Sequence, residues 1–303
     1  MQYLDVILNL PVDQPFTYSF IPHKDPKKAE SENKPEIGKR AEIMFGNRKT
    51  TGFITKVYDT FPTHCAVTED KIKPVKKILD NSPLFGPELI ETAFWISRYY
   101  LCTFGEAVFS MIPSGRRETS AGGFSFEADT SGFTHKNILS DEQEKAVNEI
   151  ISDSYTGKFH YLYGPTGTGK TEVFLSIAEK VLEKGKGVIY LVPEIGLTSQ
   201  VSQEIVNRFG DTAAILHSGL TPSRRLNEWH RIQNREARVV VGARSAVFAP
   251  VPDLGLIIID EEHDGSYKSG TTPRYHAIQV AMHRAVTENF PLVMGSATPS
   301  DEA

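Results

Sequence analysis

Between Phe159 and Leu182 an aromatic, apolar run breaks into a glycine-rich turn and resumes as a helical pattern. Few folds accommodate that succession. The turn reads Gly164-Pro165-Thr166-Gly167-Thr168-Gly169-Lys170-Thr171, the spacing of a phosphate-cradling P-loop, with a strand before it and a helix after it. Gly167 and Gly169 let backbone N–H groups converge on phosphate oxygens without a Cβ in the way. The following helix aims its positive end at the same oxygens. Lys170 is expected to neutralise the β- and γ-phosphates of bound ATP, and Thr171 to offer its hydroxyl to Mg²⁺.

The rest of this half alternates strands with helices. Leu139 to Val147 opens a helix, with Ser140 and Gln143 spaced as a capping box. Apolar runs at 187–192, 212–216, 238–242, 256–259 and 292–294 read as strands, and 198–209 and 223–234 as helices. Such alternation predicts an α/β fold with a doubly wound, mostly parallel sheet. Ile257-Ile258-Ile259 runs into Asp260-Glu261-Glu262-His263. Carboxylates at the carboxyl end of a buried strand stand at the mouth of the sheet, beside the P-loop. Asp260 is therefore expected to hold Mg²⁺ and Glu261 to orient the attacking water. Gly295-Ser296-Ala297-Thr298-Pro299 follows the last strand, and its hydroxyls are expected to bond the acidic cluster.

The first third has a different period. Tyr3–Leu10, Phe16–Phe20, Arg40–Phe45 and Thr51–Tyr58 alternate as short strands, which predicts a small β-barrel or sandwich whose basic hairpin tip is 46–49. Residues 24–35 are nearly all polar, a solvated loop or insertion. From Pro87 to Tyr100 the pattern turns helical, with Leu89, Ala93, Ile96 and Tyr100 on one face. Phe94, Trp95, Tyr99 and Tyr100 read as core. Residues 114–137 are rich in Ser, Gly and Thr and form the expected linker between domains at 1–113 and 138–303. The net charge of −5 leaves no bulk basic excess, so any nucleic-acid surface must be local. The run Lys71, Lys73, Lys76 and Lys77 reads first as a solvated face. Cys65 and Cys102 match no metal spacing and read as reduced thiols. With no long apolar run or signal pattern, a cytoplasmic monomer with no membrane contact is expected.

Taken in order, Gly164–Thr171, Leu191–Gln200, Val241–Phe248, Asp260–His263 and Gly295–Pro299 resemble the first lobe of superfamily 2 helicases, which implies a RecA-like P-loop ATPase lobe. More narrowly, Leu-Val-Pro-Glu-Ile-Gly-Leu-Thr at 191–198, Gly-Ala-Arg-Ser-Ala-Val-Phe at 242–248 and the stretch 260–277 are similar to the PriA family of bacterial replication-restart helicases. Pro15–Tyr18, Phe45-Gly46, Tyr99-Tyr100 and 104–113 extend that likeness through the first third. The resemblance implies an ATP-dependent 3′-to-5′ DNA helicase that recognises forked DNA and initiates replication restart and primosome assembly. Its implied partners are single-stranded DNA, other primosome proteins and a single-strand-binding protein. It implies adenine contact by Gln143, and a pocket for a DNA 3′ end lined by Phe16, Thr17, Gly46 and Lys73. Family members usually have Asp where Thr17 stands, so Thr17 is expected to accept from a terminal hydroxyl without charge assistance. Tyr267, Lys268, Arg274, Tyr275 and His276 fall in an aromatic-rich loop and would stack on bases and touch phosphates.

Two departures modify these expectations. The family's winged-helix domain has no counterpart beyond the linker, and the sequence ends at Ala303 before the second lobe, its arginine fingers and the family's zinc-binding cysteines. An arginine finger contributes about 10³–10⁵ in rate, so weak ATP·Mg²⁺ binding and slow hydrolysis are expected. A fork-binding module without turnover, or another superfamily 2 translocase such as a restriction motor, are the alternative readings.

Overall fold

The computed structural model describes residues 1–22, 33–65, 67–113, 138–194 and 200–299. Two compact units result, Met1–Arg117 and Glu118–Ala303. The expected linker at 114–137 lies outside the described residues, as do 195–199 and most of the polar segment 24–35.

In the first unit, strands β1 (Gln2–Ile7), β2 (Phe16–Phe20), β3 (Arg40–Phe45), β4 (Arg48–Tyr58) and β5 (Lys77–Ile78) form an antiparallel sheet in the order β2-β1-β4-β3-β5. The stretch leading into β5 meets both edges. Val75 N donates to Ser19 O and Ser19 N to Lys73 O, while Lys76 N donates to Glu42 O. The sheet thus closes as a small barrel, which leaves few free edges. Leu4, Val6, Leu8, Tyr18, Phe20, Ala41, Ile43, Ile54 and Ile78 fill its interior. Because side chains alternate along a strand, Tyr3 and Asp5 face the other way.

The basic hairpin tip is corrected. Phe45 pairs with Arg48, so the turn is only Gly46-Asn47, and Arg48 and Lys49 belong to β4. Gly46 takes φ 58°, which a two-residue hairpin turn needs and which suits glycine. Helix α1 (Pro87–Tyr99) buries Leu89, Thr92, Ala93 and Ile96. Its aromatic stripe is not core: Phe94 is 49% and Tyr99 57% exposed. Phe94 stacks on Phe104 of helix α2 (Phe104–Met111) at 4.3 Å, and Trp95 on Tyr99 at 4.8 Å. A period of 3.6 identifies a face but not what covers it.

The second unit is built on a parallel sheet of six strands. These are β6 (Phe159–Tyr163), β7 (Gly187–Leu191), β8 (Ala213–Leu216), β9 (Val239–Gly242), β10 (Leu254–Asp260) and β11 (Leu292–Ser296), in the order β6-β11-β10-β7-β9-β8. Val188, Tyr190, Leu256 and Ile258 pack with Phe174, Ile177 and Val147 on one face. Ile189, Leu191, Ile257 and Ile259, pointing the other way, are also fully buried. A sheet covered on both sides reads as continuous apolar runs, which is why these strands lack alternation.

Helix α3 (Asp141–Ser152) begins at a reciprocal cap, in which the Ser140 hydroxyl accepts from Gln143 N and the Gln143 side chain accepts from Ser140 N. Ser140→Ala should cost about 1 kcal/mol and lower this unit's melting midpoint by about 2–4 °C in calorimetry. Helices α4 (Lys170–Glu183), α5 (Gln200–Phe209), α6 (Pro222–Gln233) and α7 (Ala277–Glu288) complete the layers. No helix among the described residues is long and apolar enough to cross a membrane.

Candidate nucleotide and strand-end sites

The turn after β6 is shaped by its glycines. Gly167 and Gly169 have φ of 82° and 80°. A Cβ on Gly169 would lie 2.8 Å from the Gln143 amide, and one on Gly164 2.9 Å from the Thr168 hydroxyl. Lys170 begins α4, and its ammonium donates to Gly164 O at 2.6 Å and Pro165 O at 3.1 Å. Gln143 reaches this turn too, donating from Nε2 to Thr168 O at 3.0 Å. Its side chain thereby ties α3 to the P-loop; the structure shows this bond beside the capping role.

Opposite the turn stands the carboxyl end of β10. Asp260 pairs in parallel with Gly295 of β11, and the adjacent Ile259 with Leu191 of β7. Thr166, Gly167, Gly169, Lys170, Thr171, Asp260 and Glu261 line one cavity of about 610 Å³. The two halves of the expected site, some ninety residues apart in sequence, therefore share one cleft. Asp260 is buried, and its carboxyl is raised above the usual range, first by burial and then by the charge of Glu261. Donation from Glu261 N and from the Tyr190 hydroxyl, and the charge of Lys170, pull it back. A buried carboxylate with a cation partner and a glycine cradle opposite suits a divalent ion shared with a polyphosphate. ATP and Mg²⁺ fit these residues: Thr171 and Asp260 would hold the ion, and the cradle and Lys170 would hold the phosphates.

Behind the cleft lies a tyrosine network that no local sequence pattern marks. Tyr267 is fully buried, and its hydroxyl donates to Asp260 O at 2.6 Å and approaches Leu191 O at 3.2 Å. It clamps the ends of β10 and β7. Tyr190 and Tyr161 reach Asp260 and Glu262. Burial, followed by the neighbouring carboxylates, raises the Tyr161 hydroxyl to about 12, so it stays a donor. Ser296 Oγ lies 2.6 Å from His263 Nδ1 and accepts from Thr298 N, which couples the end of β11 to the acids. Glu261 itself has φ 45°, an uncommon backbone state for a non-glycine residue.

Two of the expected stacking residues are corrected. Tyr267 and Tyr275 are 0% and 4% exposed, and Tyr275 packs edge-on against Phe248 at 4.9 Å. Neither ring offers a face to a base; each serves the interior of the loop. Lys268 and Arg274 are exposed. His276 caps α7, accepting from Ile278 N.

In the first unit, Phe16, Thr17, Gly46 and Lys73 line one pocket of about 450 Å³, together with Phe45, His64 and Lys71. Phe16 meets Phe45 edge-on at 4.8 Å, and the Lys73 ammonium donates to Gly46 O at 3.3 Å. Thr17 is itself neutral, as expected, but a carboxylate lies next to it. Thr17 donates to Asp5 Oδ1 at 2.9 Å. The two residues face each other across β1 and β2, so a separation of twelve residues hid the pair.

Comparison with known proteins points the same way. A family model described as a 3′ DNA-binding domain of PriA matches residues 5–113, and one described as DEAD/DEAH box helicase matches 140–303. A "Replication restart protein PriA" of Treponema pallidum is 45% identical over 301 residues, 99% of this chain and 44% of the relative. Proteins of the same description from Bacillus subtilis and Haemophilus influenzae are 52% and 30% identical. These matches cover 54% and 100% of this chain, and 21% and 50% of the relatives. The chain thus spans half the length, or less, of the curated relatives it matches. The Haemophilus alignment runs 377 positions against 303 residues here, so that relative has residues this chain lacks.

Proposed function

Since the chain belongs to the DEAD/DEAH-box helicases and carries a PriA-type 3′ DNA-binding domain ahead of the helicase lobe, we propose that it supplies the strand-end recognition and ATP-binding parts of a 3′-to-5′ DNA helicase that restarts replication at forks. On this reading residues 1–113 bind DNA with a free 3′ end, 114–137 link, and 138–303 bind ATP·Mg²⁺. Single-stranded and forked DNA are its nucleic-acid partners, and primosome proteins and a single-strand-binding protein its protein partners. The observation that carries the proposal is the convergence of Lys170, Thr171, Asp260 and Glu261 on one cavity.

Each group has a role its position permits. Backbone N–H groups at 167–171 and the Lys170 ammonium hold the β- and γ-phosphates. The Thr171 hydroxyl and the Asp260 carboxylate hold Mg²⁺, whose chemistry is to neutralise charge on the transferred phosphoryl group. Glu261 orients the attacking water and takes up its proton. Through Ser296 and His263, the end of β11 is joined to these acids, a route by which DNA contact alters hydrolysis. Lys268 and Arg274, exposed near the cleft's loop, supply phosphate contacts, and Phe16, Thr17, Gly46 and Lys73 form the strand-end pocket.

The test measures ATP hydrolysis with and without a single strand bearing a free 3′ end. Stimulation that disappears in Glu261→Gln supports the proposal. Stoichiometric DNA binding with no nucleotide binding would leave only a DNA-binding module. Lys73→Ala should weaken binding of such a strand about fivefold, and reduce the slope of log affinity against log salt by about one, in fluorescence anisotropy.

A further inference from the structure

Asp5 is 2% exposed, yet it is not in the pocket lining. It lies directly behind Thr17, which is. Its carboxylate collects donors from three elements: the Thr17 hydroxyl on Oδ1 at 2.9 Å, the Tyr58 hydroxyl on Oδ2 at 2.8 Å, and His64 Nε2 at 3.1 Å from Oδ2. The Tyr58 hydroxyl is raised to about 12, by burial and then by its bond to Asp5, and so remains a donor.

A threonine hydroxyl has one proton and two lone pairs. Here the proton is committed to Asp5, which leaves Thr17 to meet the pocket with oxygen lone pairs. The carboxylate behind the bond makes that oxygen more electron-rich, as charge-assisted bonds are about twice as strong as neutral ones. His64, which also lines the pocket, is held by the same carboxylate. A group that donates a hydrogen bond is matched by this wall. A terminal phosphate, which offers only acceptors and negative charge, is opposed at this wall by the lone pairs and by Asp5, while Lys71 and Lys73 elsewhere in the lining can meet the strand's internal phosphates.

We propose that Asp5 is the specificity-determining residue of the strand-end pocket: acting through Thr17, it selects a terminal hydroxyl over a terminal hydrogen or phosphate. This rests on the reading of the pocket as a 3′-end site.

The test uses the full chain and 5′-labelled single strands that end in 3′-hydroxyl, 3′-hydrogen or 3′-phosphate, with affinity read by fluorescence anisotropy. The unaltered protein should prefer hydroxyl over hydrogen about tenfold, and phosphate should bind no better than hydrogen. Asp5→Asn should reduce the hydroxyl preference to about threefold and relax the rejection of phosphate. Thr17→Val should abolish the preference, and Asp5→Asn added to it should change nothing further. Tyr58→Phe, which removes another donor from the same carboxylate, should keep the preference. Asp5→Asn together with Thr17→Asp returns one carboxylate to the pair and should restore it, which serves as the reading if Asp5→Asn alone melts early. The proposal is overturned if Asp5→Asn keeps the full hydroxyl preference while Thr17→Val loses it, or if the double variant folds and shows none. If the unaltered protein has no end preference at all, the 3′-end reading of the pocket fails as well.

Discussion

Lys170→Ala is expected to weaken Mg·ATP binding by about hundredfold while leaving the nucleotide-free melting midpoint within about 2 °C. The ammonium is the only lysine lining the cleft among the described residues. Hydrogen bonds to charged groups contribute about 1.5–3 kcal/mol, and the upper end applies to a cation facing a polyphosphate in a partly enclosed cavity. No nearby side chain can take over, because Thr171 and Thr166 are neutral. The stability cost is small because the bonds lost, to Gly164 O and Pro165 O, leave carbonyls that water can reach at this cleft. Titration calorimetry with ATP and Mg²⁺ checks the affinity. A change of threefold or less would remove Lys170 from the phosphate site. The same variant should push the Asp260 carboxyl higher still, since Lys170 is among the groups that lower it.

Asp260→Asn is expected to act in opposite directions on stability and on binding. In the folded chain this carboxyl is raised, chiefly by burial. A carboxyl raised on folding binds its proton more tightly in the folded state than in the unfolded one. Above the raised value the folded state must hold a charge it disfavours, and stability is lost as pH rises through that window. As pH falls through it, this group's cost disappears. Asparagine removes the cost at neutral pH and keeps the local bonds: Oδ1 can accept from Glu261 N and the amide can donate to the Tyr190 oxygen. The nucleotide-free variant should therefore melt at a higher temperature than the unaltered protein at neutral pH, with the difference vanishing on acidification. Its Mg²⁺-dependent nucleotide affinity should fall at least about tenfold. In the unaltered protein that affinity should decline on acidification at a pH above the range of an ordinary aspartate, whereas the variant's should be flat. Calorimetric melting and binding across a pH series read both effects. A variant that is less stable, and binds nucleotide with unchanged Mg²⁺ dependence, would place Asp260 outside the ion site.

Much of this architecture is legible in the amino-acid sequence. Gly164–Thr171 and Asp260-Glu261 are local patterns, in which a turn's backbone conformation and a strand's end dictate residue type directly. The parallel sheet was visible because strands covered on both faces leave long apolar runs. The aromatic residues depart from their pattern in both directions: Phe94 and Tyr99, on a helical stripe that predicts core, are exposed, while Tyr267 and Tyr275 are buried. An aromatic ring is equally at home in a core or on a surface platform, and its sequence neighbours do not say which. The basic residues of the hairpin moved from turn to strand because Gly46-Asn47 alone can make the reversal.

The chain's own sequence determined its chemistry: a glycine cradle with its lysine, an acid pair at a strand end, and a β-rich unit ahead of them. Those signals are encoded within a few consecutive residues. Tertiary structure alone decided the partnerships, among them Asp5 behind Thr17, Tyr190 on Asp260 and Gln143 on the P-loop. Each joins residues between twelve and seventy positions apart, the first two through strand register and sheet order and the third where a helix start meets the glycine-rich turn. A hydrogen bond depends on ångström-scale placement, and separation along the chain carries no record of it.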